Sequence, residues 1–96
     1  MAQSTILASA QTAGTSTDVT VAAGATAIVG MFAAAGVQIP PGVRCTVLQD
    51  TPGNDNAIKY LTPEEPSTIV CGPGTFRVWR PAITTYRVNV GIFSDT

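Results

Sequence analysis

The chain has no histidine, and only 11% of its 96 residues are charged. The missing imidazole removes Ser-His-Asp and Cys-His catalysis outright. The two cysteines, Cys45 and Cys71, stand 26 positions apart with no CxxC partner, so a structural zinc centre is excluded as well. Ordinary soluble domains carry about 25% charged residues. A surface so poor in charge suits a protein that is largely covered by partners, because a free-standing domain relies on charge for solubility. No apolar run approaches the ~20 residues of a membrane helix. The opening Met1-Ala2-Gln3-Ser4-Thr5 lacks the basic and continuous apolar regions of a secretory signal. Synthesis in a cytoplasm without export by that route is therefore expected, with free buried cysteines favoured over a disulfide.

What remains is one short domain, rich in Ala, Thr, Val and Gly, with a net charge of −1. Its five basic residues are Arg44, Lys59, Arg77, Arg80 and Arg87. The last three are close in sequence and could form a local patch, but they are too few to draw nucleic acid, and nothing draws acidic lipid. Residues 1–16 are mostly Ser, Thr, Ala, Gln and Gly, with Ile6 and Leu7 the strong apolar side chains. Such a composition buries too little to fold by itself. It is read as an extended N-terminal arm, held by its own sheet or, in the favoured reading, by a neighbouring chain.

From residue 17 the apolar residues fall on a two-residue beat, the signature of half-buried strands. Strands are expected at 17–21, 26–32, 43–47, 57–62, 67–71, 75–80 and 86–93. Pro/Gly and Asx-rich turns separate them, the densest being Asp50-Thr51-Pro52-Gly53-Asn54-Asp55-Asn56. Tyr86, Val88, Val90 and Ile92 are expected to face inward on the last strand. The Ala33-Ala34-Ala35 run is read as a turn. The expected fold is all-β, a small antiparallel β-sandwich or barrel of about seven strands over residues 17–96.

The remaining catalytic templates fail on inventory. Nothing marks a serine for Lys59 to assist. Paired carboxylates would have to come from Asp50, Asp55, Glu64 or Glu65, all in expected loops. Gly72-Pro73-Gly74 has the wrong spacing for a phosphate cradle, and its proline removes an amide donor. The Asp50/Asn54/Asp55/Asn56 run offers oxygen ligands but matches no calcium-loop spacing. The reading is no enzyme, no metal and no cofactor.

Binding surfaces come from parity. If Phe76 and Val78 face the core, Arg77 and Trp79 face away, as do Arg87 and Phe93 on the last strand. An outward Trp beside Arg has the composition of a protein–protein hot spot. A sugar-stacking platform shares that composition, and Trp79 as ordinary core also stands open. Ile6, Leu7, Arg77, Trp79, Arg87 and Phe93 are the candidate interface residues.

Three segments carry a family likeness: Asp18-Val19-Thr20-Val21-Ala22-Ala23-Gly24-Ala25-Thr26, then Cys71-Gly72-Pro73-Gly74-Thr75-Phe76-Arg77-Val78-Trp79-Arg80-Pro81, and a closing Val88-Asn89-Val90-Gly91-Ile92-Phe93. Together they resemble small structural proteins of tailed bacteriophages, over most of residues 17–96. Their motifs are turn-and-strand grammar, and no functional residue carries over. The resemblance implies a β-sandwich component of the virion, made in the host cytoplasm. The leading expectation is a capsid decoration protein. It would bind the major capsid protein lattice as a homo-oligomer, a trimer, with Ile6 and Leu7 anchoring the arm in a neighbour. A neck, tail or fibre component and a carbohydrate-binding adhesion module are the alternatives.

Overall fold

The two-residue beat becomes two stacked antiparallel sheets in a computed structural model that describes residues 3–83 and 88–96. Among the described residues nine strands follow one another: β1 (Gln3–Ala10), β2 (Gly14–Thr15), β3 (Val19–Val21), β4 (Thr26–Phe32), β5 (Cys45–Thr51), β6 (Asn54–Leu61), β7 (Ser67–Cys71), β8 (Gly74–Arg80) and β9 (Val90–Asp95). One sheet has four strands in the order β1-β9-β4-β7. The other has five, in the order β2-β8-β5-β6, with β3 also paired to β8. Neither closes into a barrel.

The core lies between the sheets. Ala27, Val29, Met31, Val70, Val90 and Ile92 project from the four-stranded side. Val19, Val21, Cys45, Val47, Leu61, Phe76 and Val78 meet them from the other. Most are small or β-branched, which suits a pleated, half-buried surface and a thin sandwich.

The segment read as an arm is part of the sandwich. β1 is an edge strand paired with β9, and its register slips between Thr5 and Leu7 and again between Leu7 and Ala10. A bulge turns two successive side chains toward one face, and here both Ile6 and Leu7 pack on the domain's own core. The chain then crosses to the opposite sheet, where Gly14 and Thr15 pair with Arg80 and Trp79 of β8. Ser16 fills the gap between β2 and β3. Its N–H donates to Val78 O at 2.8 Å, and its hydroxyl accepts the Val78 N–H at 2.9 Å. A polar, alanine-rich composition suffices because an edge strand buries only part of one face.

Two other expectations are corrected. The 50–56 segment is a tight hairpin rather than a broad loop. The ladder runs through Asp50↔Asp55 and Thr51↔Asn54, so β6 starts at Asn54 and only Pro52 and Gly53 turn, with Gly53 at φ 101°. The last strand starts at Val90 and runs to Asp95, with Val88 half-buried before it; Tyr86 lies outside the described residues.

Cys45 and Cys71 are free, but only Cys45 is buried; Cys71 is exposed on β7. Burial pushes the Cys45 thiol up to about 11 from its ordinary 9.0, with the nearby Arg80 cation pulling it part of the way back. In the folded protein an aromatic disulfide reagent should titrate one thiol, Cys71, and the second only after unfolding. Because the folded state holds the Cys45 proton more tightly than the unfolded chain, stability falls as pH rises from about 9 to 11. The expected loss is about 2–3 kcal/mol. Denaturation curves of Cys45→Ala should lack this part of the alkaline slope; an identical slope would contradict it.

Candidate docking face

β8 carries the alternation that builds the site. Phe76, Val78 and Arg80 point inward, and Arg77 and Trp79 point out. Trp79 is 40% exposed. Register then decides what stands beside it. Thr46 of β5 pairs with Trp79 on one side and with Tyr60 of β6 on the other, while Thr15 of β2 pairs with Trp79 from the far side. A row Thr15–Trp79–Thr46–Tyr60 thus crosses the outer face of the five-stranded sheet. Two inter-strand spacings put the Trp79 and Tyr60 backbones about 10 Å apart. Tyr60 is 48% exposed, and the Arg44 guanidinium lies over its ring, 4.3 Å from the centroid. That arrangement is a cation–π contact. Ile58, at the register shift of β6, adds exposed apolar surface.

The neighbouring row is ionic. Arg77 donates from Nε to Asp18 Oδ1 at 3.0 Å and from Nη1 to Asp55 Oδ1 at 2.7 Å, and Asp50 Oδ2 lies 3.8 Å from Nη2. The hydrogen bond donated to Asp55 is the main reason the guanidinium is held above its ordinary pKa, with Asp18 adding to it. The acidic residues of the 50–56 segment therefore face a cation belonging to the protein itself. Among the described residues, no group of three or more His, Cys, Asp or Glu side chains is disposed to hold a metal ion. Such exposed ion pairs contribute little to stability. They do tie the entry to β3 and the β5–β6 hairpin to β8.

The six residues singled out in the sequence do not converge. Arg77 and Trp79 share the face just described. Phe93 is on the outer face of the other sheet, its ring 6.3 Å from that of Phe32. Ile6 and Leu7 are packed on the core, and Arg87 lies outside the described residues. Nor do Arg77 and Arg80 share a patch: Arg77 faces out while Arg80 is 3% exposed, on the opposite side of β8. Alternation in the sequence puts Arg44 and Thr46 on the outer face, opposite Val43, Cys45 and Val47, but does not join them to Trp79, and sequence reasoning missed Tyr60. The pairing register that sets Tyr60 in line with Trp79 is not visible in the sequence.

Chemically, the face offers two aromatic rings, two guanidinium groups and threonine hydroxyls on a rigid support. Charge-assisted pairing leaves Arg77 planar and ordered, and Trp, Tyr and Arg are the side chains that contribute most per residue to association. Neither a family model, nor a curated protein, nor a solved structure matches this chain.

Proposed function

We propose that the chain is a non-catalytic structural subunit of a larger protein assembly, docking through the outer face of its five-stranded sheet. The observation that carries this reading is the exposed row Trp79–Thr46–Tyr60, braced by Arg44 and flanked by Arg77. Large amphipathic side chains held on a sheet lose little conformational freedom on binding, which is the property of an anchor residue. The resemblance of the 18–26, 71–81 and 88–93 segments to tailed-phage structural proteins directs the assembly to a virion. The low charge fits a component whose surface is mostly covered. Within that class a capsid decoration protein on the major capsid protein lattice is the favoured role. A neck, tail or fibre component would use the same face, and copy number separates the two.

The test is Trp79→Ala, measured as affinity for purified particles lacking the protein. Truncation of an anchor costs about 2–4 kcal/mol, so binding should weaken by about 30-fold or more. The thermal midpoint should stay close to that of the wild type, because Trp79 lies outside the core. Unchanged affinity would remove this face from the proposal. Binding instead to the host's surface polysaccharide, lost in the same variant, would replace the reading by an adhesion module.

A further inference from the structure

The charges of this protein are segregated between its two sheets. The four strands β1, β9, β4 and β7 contain one charged residue, Asp95. The other described charges belong to the five-stranded sheet or to connections. Desolvating charge is what makes a surface costly to cover, so the outer face of the four-stranded sheet is the one most readily buried.

Its relief follows from register. In one row Ile69 stands opposite Ile28, Ile28 opposite Asp95, and Asp95 opposite Gln3. In the next, Ser67 and Phe93 flank Gly30, and Thr5 follows Phe93. The Phe93 ring lies where a side chain on Gly30 would be, 2.6 Å from the site of a Cβ, and Phe32 covers Gly91 in the same way at 2.5 Å. Two rings therefore floor the middle of the face. At one margin Ile69 stands 63% exposed, the most exposed of the large apolar side chains among the described residues. Toward the other margin the face dips into a depression of about 460 Å³ lined by Gln3, Ser4, Thr5, Phe32 and Phe93.

A projection and a depression on opposite sides of one face are what a self-complementary contact requires. When two copies pack face to face about an axis running along the strands, β7 of one lies over β1 of the other. Ile69 shares its row with Gln3, so each Ile69 falls on the depression of the second copy. This face brings one charge per copy, Asp95, into the contact, whereas the opposite face would set Arg77 and its three carboxylates against their own likenesses. The protein measures 39 × 31 × 21 Å, and its broad face is of the size that buries the about 800 Å² per partner of a stable interface.

We propose that the outer face of the four-stranded sheet is a homotypic interface. A second copy of this chain packs there about a two-fold axis, with Ile69 of each copy filling the depression of the other. This contact lies on the side away from Trp79, and its test does not depend on the docking reading.

Sedimentation of the full chain at tens of micromolar should give a dimer for the wild type and for Trp79→Ala. Ile69→Asp should give a folded monomer, with association weakened at least tenfold. A second route is independent of that variant. In a Cys71→Ser background, Gln3→Cys/Ile69→Cys should be joined into a covalent dimer by a bis-maleimide linker of about 10 Å, the face-to-face spacing of packed sheets, while either cysteine alone should not. Within one chain the two positions share a row three strands, or about 14 Å, apart, beyond the reach of that linker. A monomeric wild type, an Ile69→Asp dimer, or a double-cysteine variant that stays uncrosslinked would overturn the proposal.

Discussion

Replacing Arg80 by Met should lower the unfolding free energy by about 3–5 kcal/mol, because hydrogen bonds to a buried charged group contribute roughly 1.5–3 kcal/mol each and their loss strands the acceptors. Arg80 is 3% exposed and reaches three backbone carbonyls. Its Nε donates to Thr12 O at 2.8 Å, and its Nη1 donates to Ala8 O at 2.8 Å and Val90 O at 2.6 Å. One side chain on β8 thus holds the end of β1, the crossing into β2 and the start of β9. Removing the cation also removes its own desolvation cost, which keeps the loss below the sum of three bonds. Against a total of about 5–15 kcal/mol for a domain, the loss is large. For a chain of this length it corresponds to about 20 °C in the thermal midpoint. Arg80→Lys should recover little, since an ammonium cannot reproduce the fork of a guanidinium. Amide exchange should accelerate first in β1. A midpoint within a few degrees of the wild type would show that the N-terminal strand is held by something else.

Gly72→Ala should be comparably damaging, by about 3 kcal/mol or more. A Cβ at this position would lie 2.0 Å from Ala22 O and 2.6 Å from Val21 O, both backbone atoms. The Gly72 N–H also donates to Ala25 O at 3.0 Å, so the β3–β4 turn is pressed against the β7–β8 turn. Neither turn can move without disturbing the β3–β8 pairing or the β4–β7 pairing beside it. Overpacking against backbone exceeds the usual 1–3 kcal/mol of a crowded core. Gly30→Ala provides the contrast. It meets the Phe93 ring and the Ser67 Cβ, and the half-exposed ring can swing outward. Its expected cost is about 1 kcal/mol, and urea denaturation of the two variants should separate them clearly. Equal midpoints would contradict the steric account.

Alternation made part of the fold legible. The beat of apolar positions announced the strands from residue 17 onward, and the bounds of β4 and β7 coincide with those read from alternation and turn residues. Trp79 and Arg77 face outward as parity requires. The same parity puts Arg80 inward with Phe76 and Val78, a signal overlooked because a charged residue is rarely buried. β1 and β2 were hidden for another reason. Edge strands bury too little to show an apolar face, and their polar composition imitates an arm. Least legible was everything that depends on register. Arg77 meets Asp18 across 59 residues, and Tyr60 meets Trp79 only through the shared partner Thr46.

The central claim, that this protein is a subunit of a larger assembly, is tested most directly by its stoichiometry. Particles purified from a lysate of the cells that express the gene can be analysed by quantitative mass spectrometry against the shell-forming protein. The account predicts that the chain copurifies at a fixed ratio, in hundreds of copies for decoration or a small multiple of six for a tail part, and that Trp79→Ala reduces that ratio sharply. A chain absent from the particles, left wholly in the soluble fraction, would contradict it.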